Sequence, residues 1–131
     1  ANITAAFTQI ASELEKARTV GALRLVTTRF ADIPVDALRE ASDKLRAKHT
    51  DVVCVFATVS GGKITFAAGC GKAALEAGAN AGALLKAISP IVGGGGGGRP
   101  DSATSGGRDV SRLDEALGAA AGLLAAQLGA E

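Results

Sequence analysis

Residues 51–69 read DVVCVFATVSGGKITFAAG, and the two apolar runs in this stretch indicate how the chain folds. The run over 51–59 is continuous, which is typical of a strand buried on both faces of a sheet. Ser60, Gly61 and Gly62 then predict a tight turn, so residues 63–69 should return as an antiparallel neighbour. A sheet therefore forms the centre of the predicted fold.

The segment before this hairpin predicts a βαβ unit. Residues 21–30 alternate and are rich in β-branched side chains, which favours a strand, and Pro34 predicts the start of a helix that runs to about Lys48. The apolar face predicted for this helix carries Val35, Leu38, Ala41 and Leu45. Strand, helix and buried strand in this order favour a parallel pair, which makes the sheet mixed.

The second half predicts two more helices and one more strand. A helix over residues 78–89 should end or kink at Pro90, and 102–105 favour a short edge strand. Ser111 is in position to cap the last helix, with Asp114 in the capping-box position. The apolar residues aligned on these two helices are Ala81, Leu84, Leu85 and Ile88, then Leu113, Leu117, Ala120, Leu124 and Leu128.

The first residues predict a helix over 2–17 with a narrow apolar seam. The seam is formed by Ile3, Phe7, Ile10, Leu14 and Ala17. This spacing is typical of a coiled coil and suggests dimerisation, although ordinary packing on the domain explains so short a seam equally well. The predicted fold class is α/β: an N-terminal helix over 1–19, followed over 20–131 by one compact domain with a mixed β-sheet flanked by helices.

Composition excludes several classes of function. The formal net charge is +1, and residues 60–112 carry a surplus of three positive charges, a mild basic bias. Aromatic residues make up 3% of the chain, so the usual stacking platform for single-stranded nucleic acid is missing. With Cys54, Cys70 and the single histidine His49, a zinc site is not expected, and both thiols should be buried. No apolar run is long enough to span a membrane, which favours a cytoplasmic protein.

Residues 93–107, GGGGGGRPDSATSGG, form the most unusual stretch of the chain. It predicts a glycine-rich loop that can press its backbone against another surface, with Arg99 placed to grip a phosphate. No Lys-Ser/Thr pair follows the glycines, and they follow a helix rather than a strand, so neither a P-loop nor a dinucleotide fingerprint is present. A flexible linker is the alternative interpretation.

Catalytic residues are not predicted. His49 lies beside Lys48 at a helix end, where a cationic side chain is favourable, and no nucleophile or orienting carboxylate is predicted near it. Asp101 after Pro100 is typical of a turn. The chain by itself is therefore not expected to be an enzyme.

The stretch LLKAISPIVGGGGGGRPDSATSGGRDVSRLDEAL over 84–117 resembles the C-terminal domain of alanyl-tRNA synthetases. That family's pattern is an apolar helix ending in Pro-Ile-Val-Gly-Gly, a glycine run, Arg-Pro-Asp, Gly-Gly and a closing Leu-Asp-Glu-Ala-Leu helix. The resemblance extends over the βαβ unit and the Ser-Gly-Gly-Lys hairpin, and so covers about 1–131. It implies a module related to DHHA1, the substrate-binding domain attached to DHH phosphoesterases.

The resemblance further implies that the domain binds the elbow of alanine tRNA and couples aminoacylation with editing of mischarged tRNA. The RNA-facing residues it implies are Gly93, Gly94, Gly95, Gly96, Gly97, Gly98, Arg99, Pro100 and Asp101, to which charge alone adds Lys72, Lys86 and Arg108. The helices before the domain would make a homodimer through Ile3, Phe7, Ile10 and Leu14. No cofactor is expected in the domain, whereas the parent alanine–tRNA ligase would use ATP, Mg²⁺ and Zn²⁺.

Two departures from the family pattern affect these expectations. Family members often carry a lysine inside the glycine run and Met-Ala-Gln-Ala after Arg-Pro-Asp, whereas here the run is all glycine and residues 102–105 read SATS. The phosphoesterase relatives carry histidine where Arg99 stands, which makes phosphodiester hydrolysis an unfavoured alternative. A dimerisation module, and a DNA- or RNA-binding domain of a DHH-type protein, remain the other candidate functions.

Overall fold

A six-stranded mixed sheet with helices on both faces confirms the predicted fold class. The computed structural model describes residues 17–30 and 32–129; the predicted helix over 2–17, apart from Ala17, and its four dimerisation residues lie outside this range. The strands are β1 (Arg18–Val20), β2 (Leu23–Phe30), β3 (Val52–Ser60), β4 (Lys63–Cys70), β5 (Gly95–Gly98) and β6 (Ser102–Gly107), and the helices are α1 (Val35–Lys48), α2 (Lys72–Ala77), α3 (Ala81–Ile88) and α4 (Leu113–Gln127). The strand order is β1-β2-β3-β4-β6-β5.

The predicted βαβ unit is confirmed, with β2 and β3 parallel and α1 between them. Helix α1 begins after Pro34 and buries Leu38, Ala41 and Leu45, as predicted. Val35 was expected on the same face, but it is 43% exposed. The buried stripe also includes Ala37 and Ser42, and at 100° per residue its centre lies roughly a quarter turn away from Val35.

The hairpin of β3 and β4 forms the middle of the sheet. Residues 52–58 are buried, and Ser60 pairs with Lys63 across a two-residue turn. Gly61 and Gly62 have φ of 56° and 78°, as a type I′ turn requires. The predicted strand over 21–30 starts at Leu23, because a turn separates it from the short strand β1, which pairs with it.

The core has two parts, one on each face of the sheet. Under α1 it is built around Phe30 and Phe56, whose rings meet edge to face with centroids 5.3 Å apart. On the other face α3 and α4 cover the sheet, and the aligned apolar residues predicted for both helices are buried or half-buried there. Cys54 belongs to the first part and Cys70 to the second, so both thiols are buried as predicted.

Helix boundaries in the second half differ from the prediction in two places. The expected helix over 78–89 is split, because Gly78 takes a left-handed conformation that ends α2, and α3 begins at Ala81 after an Asn80 cap. Helix α3 ends before Pro90, as predicted, and passes into a 3₁₀ turn at Ser89–Val92. The predicted Ser111 cap is wrong: its hydroxyl donates to Asp109, and a 3₁₀ turn precedes α4.

Candidate nucleic-acid interface

The six-glycine run does not form a loop. Residues 95–98 form β5, an edge strand whose register with β6 runs from Gly95 opposite Gly106 to Gly98 opposite Ala103. Glycine has low strand propensity, which the backbone ladder with β6 overrides here, so the predicted loop is wrong for residues 95–98. The predicted strand over 102–105 is confirmed as part of β6, but its predicted edge position is wrong, because β6 lies between β4 and β5.

Most glycines around β5 are required by the fold itself. A Cβ at Gly96 would stand 2.6 Å from Cβ of Ser105, and one at Gly98 would stand 2.9 Å from Cα of Ala103. A Cβ at Gly94 would collide with the carbonyl of Gly106. These contacts let β5 lie tightly against β6, so they are reasons for glycine that involve no external partner.

Packing within the domain does not require a glycine at Gly95. A Cβ built on it meets nothing within 4 Å, and its φ is not positive. Helix α3 packs on β5 and β6, whereas α1 packs chiefly on β3 and β4 at the other face. The strand therefore presents an exposed, side-chain-free backbone at Gly95, where a flat partner can approach the main chain.

The turn after β5 is anchored to the core. The backbone N–H groups of α3 at Ala81 and Gly82 donate to the carbonyls of Pro100, at 2.8 Å, and Arg99, at 3.2 Å. The N–H of Cys70 donates to the carbonyl of Asp101 at 3.1 Å. Residues 99–101 are therefore held in a fixed position at the end of the glycine strand, which excludes the flexible-linker interpretation.

Arg99 is exposed but already paired. Its Nε lies 3.2 Å from Oδ1 of Asp101, and the side chain remains 74% exposed. The Asp101 carboxylate also lies 3.9 Å from Nη1 of Arg46, whose Nε is 3.2 Å from Oδ1 of Asp43. The four side chains have no net charge, so Arg99 is oriented by Asp101 rather than free.

The three added cations do not form one cluster. Lys72 begins α2, two residues after the Cys70 that bonds Asp101, and so lies towards the Arg99 end of β5. Lys86 is exposed on α3, four residues after the Gly82 that packs on Gly98. Arg108 lies towards the opposite end of β5, about 20 Å from Arg99 if the six residues from Ser102, which pairs with Arg99, to Arg108 are counted at the rise of a strand.

Arg108 shares a groove with Lys63, a cation that sequence reasoning left out of the site. The groove has a volume of about 610 Å³ and lies between the β3–β4 turn and the start of β5. Its lining residues are Gly62, Lys63, Gly93, Gly94, Gly95, Gly106, Gly107 and Arg108. The Ser-Gly-Gly-Lys hairpin was visible in the sequence, but the pairing of β4 with β6 that brings Lys63 to the glycines was not.

His49 belongs to a structural cluster at the opposite end of β3. The Arg24 guanidinium donates to both carboxylate oxygens of Asp51 at 2.8 Å, and to Nδ1 of His49 at 3.3 Å. Because a guanidinium can only donate, Nδ1 is the acceptor in this contact. His49 follows the last residue of α1, as predicted, and its cationic role at this helix end stays a prediction.

The described residues offer little for catalysis. Burial raises the pKa of Cys54 to about 11 and that of Cys70 to about 12, which keeps both thiols protonated and unreactive. Within 17–30 and 32–129, no three His, Cys, Asp or Glu side chains come close enough together to hold a metal ion. Over the same residues, no helix is both long and apolar enough to cross a membrane.

Comparison with known proteins identifies the family. The DHHA1 domain model matches residues 22–126. The chain belongs to the DHHA1 family. The alanine–tRNA ligase of Acetivibrio thermocellus is 40% identical over 115 residues, which are 88% of this chain and 13% of that protein. The enzyme of Shouchella clausii is 39% identical over 103 residues, 79% of this chain and 12% of that protein.

A solved structure agrees with this DHHA1 assignment. The C-Ala domain of Aquifex aeolicus alanyl-tRNA synthetase matches with a TM-score of 0.76 at 28% identity, over 83% of this chain and 97% of that domain. The resemblance to the C-terminal domain of alanyl-tRNA synthetases is therefore confirmed. The chain spans about one eighth of the length of the two ligases.

Proposed function

We propose that this DHHA1 domain binds the elbow of alanine tRNA through the exposed face of β5. The observation that carries the proposal is the bare backbone at Gly95, which the packing of the domain does not explain. Folded RNA is recognised by its shape and through 2′-hydroxyl and phosphate contacts more than through base edges in a groove. A strand without side chains allows the main chain to approach such a surface closely.

The charges around β5 support a partner that is anionic but bound with modest strength. Arg99 stands exposed at one end of the strand, with Lys72 towards the same end and Lys86 on the adjoining helix. A few phosphate contacts of this kind give an affinity that falls steeply with salt. The net charge of +1 disfavours general binding to DNA.

Within a full-length synthetase, such a domain would act by tethering. Holding the elbow raises the effective concentration of the acceptor end at distant active sites, which would couple aminoacylation with editing. We infer that the parent protein is a cytoplasmic alanine–tRNA ligase with its own ATP, Mg²⁺ and Zn²⁺ sites. Dimerisation through Ile3, Phe7, Ile10 and Leu14 remains part of this proposal.

A titration of the chain with alanine tRNA at about 50 and 200 mM salt tests the proposal. We expect binding that weakens with salt, and a slope of log K against log salt that falls by about 1 in Arg99→Ala, because one phosphate contact is lost. Other tRNAs should bind nearly as well, since the elbow is common to them, and duplex DNA should compete poorly. Absence of binding at low salt would leave dimerisation as the function to test, by measuring mass against concentration for wild type and Ile10→Asp.

A further inference from the structure

The groove at the start of β5 has an unusual lining. Six of its eight lining residues are glycines, and the other two are Lys63 and Arg108. Its walls are therefore backbone, and the only side chains on it, among the described residues, are two exposed cations. Both cations are hydrogen-bond donors without acceptor capacity, so the groove is suited to an anion.

The strand register brings the two cations together. Ile64 pairs with Gly107 at the end of the antiparallel ladder of β4 and β6, and Lys63 and Arg108 are the next residues at that end. Like charges that extend from neighbouring strands repel, so the pair by itself does not stabilise the fold. Neither side chain makes an ion pair within the described part of the chain.

The backbone that carries both cations is fixed. Lys63 follows the two-residue Gly61–Gly62 turn and pairs with Ser60. The N–H groups of Arg108 and Asp109 both donate to the carbonyl of Val92, at 2.8 and 2.9 Å. The acidic neighbour Asp109 accepts from the Ser111 hydroxyl. The backbone positions from which the two cations extend are therefore fixed.

We propose that Lys63 and Arg108 bind a phosphodiester of the RNA backbone in this groove, at the opposite end of β5 from Arg99. The inference rests on the proposed function and adds a second anchor to it. Gly95 lines the groove and also begins the exposed strand, so an RNA lying along β5 would pass directly into the groove. The guanidinium can donate two parallel hydrogen bonds to a phosphate, and the ammonium can pair with the same phosphate as a point charge.

The test compares two double variants of equal charge in the tRNA titration. Lys63→Gln with Arg108→Gln should lower the salt slope by about 1.5, because each lost cation removes about 0.7–0.9. Affinity at 50 mM salt should then fall at least about tenfold. The control, Arg39→Gln with Lys48→Gln, removes two exposed charges of α1 and should leave the slope nearly unchanged. Circular dichroism and melting confirm that both variants fold.

The outcomes separate this inference from the proposed function. If wild type binds tRNA and the groove variant has the same salt slope, the proposed phosphodiester site is overturned but the proposed function stands. If wild type does not bind tRNA, both are overturned. Replacing chloride by inorganic phosphate at constant ionic strength provides a second arm. We expect phosphate to displace tRNA from wild type more than from the groove variant, because it competes for the same two cations. Equal displacement from both proteins would mean that the RNA does not use the groove, and would overturn the inference.

Discussion

Nε of Arg99 lies 3.2 Å from Oδ1 of Asp101, so the guanidinium at the end of the glycine strand has a carboxylate partner before any RNA arrives. The carboxylate also faces Arg46 of α1 at 3.9 Å, which ties the turn to the far side of the sheet. An exposed pair of this kind contributes little to stability, because solvent and salt screen it. Its effect on binding follows from geometry: a phosphate at Arg99 competes with Asp101.

Removing that competitor should strengthen binding. In Asp101→Asn the backbone bond from Cys70 to residue 101 is retained, and Arg99 loses its anionic partner. We expect tRNA affinity at about 50 mM salt to rise about threefold, the size of an exposed ion pair worth under ~1 kcal/mol, and the gain to shrink at 200 mM. Asp36→Asn on α1 is the control for net charge. A lower affinity in Asp101→Asn would mean that Asp101 positions Arg99 for RNA instead.

Substitutions at Gly95 and Gly96 should distinguish a glycine that RNA binding requires from one that folding requires. Gly96→Ala should lower the free energy of unfolding by on the order of 2 kcal/mol, because its φ is 145° and the added Cβ meets Ser105. Gly95→Leu should change stability by under ~1 kcal/mol, since its Cβ points into open space.

The effect on tRNA binding should follow the reverse order, with Gly95→Leu affected more than Gly96→Ala. The leucine in Gly95→Leu blocks the approach to β5, so its tRNA affinity should fall about tenfold, which is about 1.4 kcal/mol. Urea unfolding and the tRNA titration measure the two effects. Full affinity in a folded Gly95→Leu variant would exclude this face of β5 from the interface.

Elements that depend on local sequence patterns were predicted, whereas elements that depend on pairing between distant segments were missed. The βαβ unit and the β3–β4 hairpin were readable because each depends on contiguous apolar runs and turn residues. Strand β5 was not, because glycine has low strand propensity and only the tertiary ladder with β6 makes residues 95–98 a strand. The Lys63–Arg108 groove was missed for the same reason, since β4 and β6 are not neighbours along the chain.

The Arg24–Asp51 pair should make the domain less stable in acid. Hydrogen bonds from Arg24 lower the pKa of Asp51 below its ordinary value, so the folded state gains stability above the unfolded pKa of about 3.9. That stability is lost as pH falls through the lower folded pKa. Asp51→Asn should cost less than about 1 kcal/mol at pH 7, because both side chains are more than a third exposed.

Urea unfolding of wild type and Asp51→Asn between pH 2.5 and 7, taken as about 0.5-unit steps, measures this contribution. The difference between the two proteins should shrink towards zero at the acid end. Glu76→Gln, whose carboxylate makes no ion pair within the described residues, is the control. An Asp51→Asn difference that stayed constant with pH would assign its cost to packing rather than to charge.

The buried thiols should make the domain less stable in alkali. Burial raises the pKa of Cys54 to about 11 and of Cys70 to about 12, above the value near 8.5 of an unfolded thiol. Their contribution to stability is complete below about pH 8.5 and is lost as pH rises through the folded values, because the unfolded chain ionises first. The chain has no tyrosine, so no phenol titrates in the same range. The unfolding free energy of wild type should therefore decline from about pH 8.5 to 11, more steeply than that of Cys54→Ala with Cys70→Ala.

Labelling with a thiol reagent at about pH 8 should be slow in the native protein and complete in denaturant, and rapid native labelling would contradict the burial of both sulfurs.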